Sequence, residues 1–182
     1  MSKAYKDKIL LAASIAGDEE SFGKLYDSYI NDIYRFIVMR VRTAEEAQDL
    51  CSEVFLKTWQ YVSEGSRDIE NFRALIYRIA RNLVIDYYRK LGRELSPLDD
   101  EQFEHVPDPS VDLEKEAELR DDMRIVFKHL ETLPDEQQEL IVLRYTQDLS
   151  IREISAITGK SSGAVRVALH RAMKQLKQSI KE

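Results

Sequence analysis

The sequence predicts an all-α fold, and three observations support that expectation. Apolar residues recur at steps of three and four, helix-start signals stand directly ahead of those runs, and the alternating apolar and polar runs that strands need are missing. The expected architecture is two small helical domains joined by an acidic flexible linker, the C-terminal one containing a helix-turn-helix. At 182 residues and 43% hydrophobic content, the chain has ample material for packed cores.

In the first block, Asp18 is placed to cap a helix whose apolar side is Phe22, Leu25, Tyr26, Tyr29, Ile33, Phe36 and Ile37. Thr43 to Glu46 reads as a capping box, followed by Ala47, Leu50, Cys51, Val54 and Thr58 on one side. The opposite side of that helix carries Glu46, Asp49 and Glu53, an acidic stripe of the kind that is usually only solvated. A third long helix is expected from about Glu70 to Leu91, burying Phe72, Ile76, Ile79 and Leu83. It interleaves Arg73, Arg78, Arg81, Arg89 and Lys90 with Phe72, Tyr77, Tyr87 and Tyr88. Cations track phosphates and exposed aromatics stack on unpaired bases, so the mixture suits melted nucleic acid better than intact duplex. The competing account makes the aromatics the buried side of an amphipathic helix, which fits Phe72 and in part Tyr87.

Charge divides the chain. Residues 1–92 are close to neutral, residues 93–123 hold 3 basic and 12 acidic side chains, and residues 124–182 hold 10 and 7. The middle block also contains three of the four prolines, Pro97, Pro107 and Pro109, without an apolar period, as an extended tether does. The expected boundaries are a first domain over 1–92, a linker over 93–118 and a second domain over 119–182. No run of about 18 apolar residues occurs and the N-terminus has no signal-peptide pattern, so no membrane insertion and a cytoplasmic location are expected. Cys51 stands alone, which excludes an internal disulfide and a cysteine-based metal cluster and leaves it as a small core residue. No metal site and no cofactor are expected.

The C-terminal segment is locally basic although the whole chain has a formal charge of -6. Ser150-Ile-Arg-Glu153 reads as a second capping box, with Leu149 and Ile154 placed as a hydrophobic staple. That helix turns Ile151, Ile154 and Ile157 inward and stops at Thr158-Gly159-Lys160, where Gly159 can adopt a left-handed conformation. Ser161 or Ser162 caps the next helix, in which Val165, Leu169, Ala172 and Leu176 point inward. Its other side shows Arg166, His170, Arg171, Lys174 and Lys177. Two short helices around a glycine turn, the second cationic outside, form a helix-turn-helix suited to the DNA major groove. A solvated basic helix of a bundle is the plainer alternative.

With AEEAQDLCSEVFLKTW, FRALIYRIARNLVIDYYRK, an acidic linker and LPDEQQELIVLRYTQDLSIREISAITGKSSGAVRVALHRAMKQL in this order, nearly the whole chain resembles a bacterial sigma factor of the extracytoplasmic-function (ECF) family. The resemblance implies a non-enzymatic protein that binds core RNA polymerase and promoter DNA, with an anti-sigma factor as a family partner. It implies that Glu46, Asp49, Glu53 and Leu56 dock on the polymerase. Arg73, Tyr77, Arg78, Arg81 and Asn82 would hold the melted minus-10 strand, with the loop Glu64 to Asn71 forming a pocket for a flipped-out base. Ser162, Arg166, Val167, His170, Arg171 and Lys174 would contact the minus-35 duplex; Val167 can offer only apolar contact, for example to a thymine methyl group. Leu75 departs from the tryptophan many members carry there, so no stacking role is expected of it. The rival is a conventional helix-turn-helix regulator binding duplex operators as a dimer, which leaves the arginine and tyrosine helix without a use. A hydrolase or metalloenzyme lacks converging ligands: His105, His129 and His170 are scattered and no glycine-rich phosphate loop exists.

Overall fold

The computed structural model describes residues 3–41, 43–65, 69–92, 129–130 and 132–180, all helical or connecting backbone. The expected linker over 93–118 and the start of the second domain lie outside the described residues. Among the described residues no helix is long and apolar enough to cross a membrane.

The first unit is four helices: α1 (Lys3–Ile15), α2 (Glu19–Val38), α3 (Ala44–Ser63) and α4 (Phe72–Lys90). Each of the last three starts where a short polar side chain takes up backbone N–H groups that have no partner within the helix. Asp18 accepts from the amides of Glu20 and Ser21, Thr43 and Glu46 close a reciprocal capping box, and Asn71 accepts from the amide of Ala74. The inward set expected for α3 is buried as a whole, Cys51 included, and burial pushes the Cys51 thiol up to about 12. Helix α1 carries no clear start signal in the sequence. It is anchored by Asp7, a buried carboxylate that accepts a 2.5 Å hydrogen bond from the buried Tyr29 hydroxyl.

The second unit contains α5 (Asp135–Ile141), which runs into a π-helical turn (Val142–Thr146), then α6 (Ile151–Thr158) and α7 (Ser162–Ser179). The Gln147 amide closes the wide turn on the carbonyl of Val142 at 3.1 Å. Asp148 follows with a φ of +47°, uncommon for a residue with a side chain. The α6 capping box is present on both sides, Leu149 and Ile154 are fully buried, and Gly159 terminates α6 at φ +73°.

The two units share one apolar core instead of standing apart, and α4 explains why. Ala74, Leu75, Ile76 and Tyr77 are all buried. At about 100° per residue, four consecutive buried positions span roughly 300° of the helix circumference, more than a surface helix encloses. Helices α2 and α3 cover one part of that circumference and α6 covers the other. Leu140, Leu143, Leu149, Ile154 and Ile157 thereby join the cluster of Tyr29, Phe36, Phe72 and Tyr77. A smaller cluster of Leu130, Leu133, Ile141, Ala172 and Leu176 packs α5 on α7, with Met39 of the first unit against its edge.

The α6 start is a local device with a known scale, and its removal is separable from packing. Ser150→Ala is expected to lower stability by about 1 kcal/mol in urea unfolding. Ser52→Ala, which removes only an exposed hydroxyl bond back to Gln48 inside α3, should stay within about 0.5 kcal/mol. Equal losses in the two variants would mean that the capping box does not set this helix.

Candidate nucleic-acid and polymerase interface

Helices α6 and α7 build the helix-turn-helix around Gly159. Ser161 caps α7 through the Ala164 amide at 3.2 Å, so Ser162 is the first helical residue and stands half-buried at the helix mouth. Val165, Leu169, Ala172 and Leu176 are buried as expected, which fixes the rotation of α7 about its axis. The opposite side then presents Arg166, Val167, His170, Arg171 and Lys174 together in solvent. Val167 is 52% exposed, an apolar side chain inside a cationic patch.

On α3 three of the four residues expected at the polymerase form an outward patch. Asp49 is exposed, Glu53 pairs with Lys57 at 3.3 Å, and Leu56 is 57% exposed. Glu46 is placed differently. Its carboxylate accepts the Thr43 amide at 3.0 Å to complete the capping box and also accepts the Tyr87 hydroxyl, leaving it half-buried. The start of a helix favours an acid at that position, and the structure uses it there.

Helix α4 holds the third set. Arg78 and Asn82 are exposed, Arg73 and Arg81 are half-buried, and Tyr77 is fully buried, as is Tyr88. The expectation of exposed stacking aromatics therefore fails for Tyr77 and Tyr88: both rings lie on the enclosed side, Tyr77 edge-on to Phe36 at 5.4 Å between centroids. Ile69, Asn71, Leu75 and Arg78 line a cavity of about 210 Å³ with Tyr61, and Ala156 of α6 supplies another wall. This is where the loop was expected to form a pocket; residues 66–68 of that loop lie outside the described residues. Asn82 is not among the walls, but it continues the stripe of Asn71, Leu75 and Arg78 along the helix.

Arg73, Tyr77 and Arg81 follow one another at four-residue steps, and each is bonded to the second unit. Arg73 donates to the carbonyl oxygens of Gln147 and, at 3.4 Å, Asp148, while its Nε is buried without a partner. The Tyr77 hydroxyl donates to the Gln147 side-chain oxygen at 2.7 Å. Arg81 Nε donates to both oxygens of Glu139, at 2.9 and 3.0 Å, and Arg40 Nη1 reaches the first of them at 2.9 Å. Burial of Glu139 by itself favours the neutral acid. The two guanidinium charges and their hydrogen bonds outweigh that effect and hold the carboxyl below its usual range. The π-helical turn and the left-handed Asp148 aim the two backbone carbonyls at Arg73.

Arg40, Glu139 and Gln147 are the residues that sequence reasoning missed. A signal existed for one of them: Glu139 directly precedes Leu140, Ile141, Val142 and Leu143, all four buried. A carboxylate among such neighbours requires a paired cation.

Comparison with known proteins identifies the family. The family described as Sigma-70 region 2 matches residues 25–94, and Sigma-70, region 4 matches residues 124–176. The ECF RNA polymerase sigma factor BldN of Streptomyces coelicolor is 34% identical over 174 residues, covering 92% of this chain; the chain spans 63% of BldN's length. The ECF RNA polymerase sigma factor SigD of Mycobacterium tuberculosis is 32% identical over 178 residues, 94% of this chain and 82% of SigD. Among solved structures, CnrH in complex with the cytosolic domain of CnrY aligns with a TM-score of 0.68 at 23% identity, over 97% of both chains. The sigma factor RpoE of Bartonella quintana, in complex with the anti-sigma factor NepR, aligns at 0.68 and 20% identity, over 89% of this chain and 98% of that one. These two likenesses are of fold. With both regions matched in order and SigD related along most of its length, the chain belongs to the ECF RNA polymerase sigma factors.

Proposed function

We propose that this chain directs core RNA polymerase to promoters, reading the minus-35 element as duplex through α7 and the minus-10 element as a melted strand along α4. The observation that carries this reading is the pairing of two unlike surfaces on one chain. A helix-turn-helix with Arg166, Val167, His170, Arg171 and Lys174 in solvent suits intact duplex. An arginine-lined helix beside a cavity suits an unpaired strand and a flipped-out base. Asp49, Glu53 and Leu56 form the polymerase contact, an acidic and apolar patch for a basic and apolar partner surface. Glu46 acts in this reading by fixing the start of α3, not by touching the polymerase. Nucleotidyl transfer belongs to the polymerase, so the chain contributes specificity without catalysis, and it works in the cytoplasm where the polymerase is. The RpoE structure holds a sigma factor with the anti-sigma factor NepR, which supports an anti-sigma factor as a partner here.

Run-off transcription with purified core polymerase tests the whole reading. Discrete initiation that depends on the added chain is the expected result; duplex binding without core and without initiation selects a conventional operator-binding regulator.

The two DNA faces should separate by mutation. Arg166→Ala is expected to weaken minus-35 duplex binding by about 1–3 kcal/mol if the guanidinium reads a base, and more uniformly across sequences if it meets phosphate. Asn82→Ala should spare that binding and reduce permanganate reactivity of the melted minus-10 region. Equal losses of duplex binding in both variants remove the melted-strand role from α4.

The polymerase face makes a third forecast. Asp49→Lys with Glu53→Lys should alter unfolding stability by less than about 1 kcal/mol, since both side chains are outward. Competition with wild type for core polymerase should fall much further, because like charges across an interface cost several kcal/mol. Undiminished competition takes α3 out of the interface.

A further inference from the structure

We propose that Arg40 and Arg81 together form a phosphate site for the melted promoter strand, and that Glu139 fills this site while the two units are closed on each other. The inference rests on the promoter-opening reading above and adds to it one residue, Arg40, and one competitor, Glu139. Two guanidinium groups, one from the turn after α2 and one from α4, converge on a single carboxylate: Arg40 Nη1 on Oε1 at 2.9 Å, and Arg81 Nε on Oε1 and Oε2 at 2.9 and 3.0 Å. A carboxylate and a phosphate present arginine with the same pair of charged acceptor oxygens, so the geometry that holds one suits the other. The carboxylate here stands in for two phosphate oxygens.

The arginines are positioned from within the first unit. The Arg40 guanidinium lies over the Phe36 ring at 4.4 Å from its centroid, and the Arg40 carbonyl accepts the Tyr88 hydroxyl at 2.6 Å. Arg81 is set by α4 itself. Glu139, by contrast, arrives on the second unit, so its withdrawal leaves a pair of oriented cations beside the exposed Asn82. The occupation is not confined to one contact. Along the stripe of Arg73, Tyr77 and Arg81, about 12 Å of helix at 1.5 Å per residue, every acceptor is an oxygen of the second unit: backbone carbonyls, a side-chain amide and a carboxylate. A strand laid on this stripe and the second unit as it sits here exclude one another. Meanwhile Asp49, Leu56, Arg166 and His170 stay exposed, so closure covers the stripe of Arg73, Tyr77 and Arg81 and leaves the α3 and α7 faces open.

The test uses the full chain and a fluorescein-labelled single-stranded oligodeoxynucleotide, followed by anisotropy at low salt. Glu139→Gln keeps the shape of the side chain and removes the charge, and is expected to bind at least fivefold more tightly than wild type. Its log K against log salt slope should steepen by about 0.7 for each further phosphate neutralised. Adding Arg40→Gln to Glu139→Gln should remove most of that gain. Unchanged affinity in a folded Glu139→Gln protein, or a gain that survives loss of Arg40, overturns the proposal. Should Glu139→Gln not fold, Arg40→Gln is assembled with core polymerase and measured on a fork duplex with a single-stranded arm. At least threefold weaker binding supports the site and wild-type affinity overturns it. Run-off transcription by wild type in the same assembly separates the two readings. Without initiation the sigma reading falls and this one with it; with initiation and unaltered variants, the phosphate site alone falls.

Discussion

The carboxylate of Glu139, held between Arg40 and Arg81, sets the relation of the two halves of the molecule. Moving a carboxylate out of water costs several kcal/mol even after local relaxation, and the return depends on good geometry and full hydrogen bonding. Glu139 meets that condition with three short contacts from two guanidinium groups, Arg40 Nη1 and Arg81 Nε, the latter shared between both oxygens. Apolar contacts are non-directional and would tolerate a slide of α6 along α4. The ion triad would not, because a displacement of even an ångström or two strands a buried charge. The triad therefore acts less as a source of net stability than as a register pin for an interface whose area is supplied by Leu, Ile and Tyr.

That interface is itself a consequence of α4. A helix that buries four consecutive residues has almost no solvent side over that turn, so something beyond α2 and α3 must cover it. The same helix carries the arginines assigned to the melted strand, which places an apolar requirement and a cationic function on one element. The structure reconciles them by offering the arginines oxygen acceptors wherever the second unit covers them. Arg73 shows the limit of the arrangement: its terminal nitrogens find carbonyls, while its Nε is buried without a partner. An unmet buried donor costs about 1–3 kcal/mol, so the covering is imperfect at that end of the stripe.

What the sequence made legible was local. Capping boxes at Thr43 and Ser150, the left-handed Gly159 and the inward set of α7, whose successive members are three or four positions apart, are all short-range patterns, and all are present as expected. The Glu139 triad joins residues 58 and 99 positions apart, and nothing in a single sequence pairs such residues. Tyr77 was misjudged for a related reason: its hydroxyl is bonded to Gln147, 70 positions away, and its ring packs on Phe36, neither of which the period of α4 gives. Glu46 is a different case. One residue belonged to two legible patterns, the capping box and the acidic stripe, and the backbone amide of Thr43, together with the Tyr87 hydroxyl, decided between them.

The two surfaces proposed for DNA, on α7 and α4, handle positive charge in different ways. On α7 the cations project from a helix whose inward face is fully satisfied, so they stay hydrated and available, and their field is open to screening by salt. On α4 Arg81 is partly dehydrated with its charge met by Glu139, Arg73 is half-buried against backbone carbonyls, and Arg78 stays in solvent. An exposed cationic helix attracts duplex at long range through its field, whereas a neutralised one does not. A chain of net charge -6 thus presents an open cationic row on α7, while on α4 the Arg81 charge is met by Glu139. Access to the melted strand becomes a matter of moving one carboxylate and two carbonyls off one face of α4, which is a conformational step and not a question of raw charge.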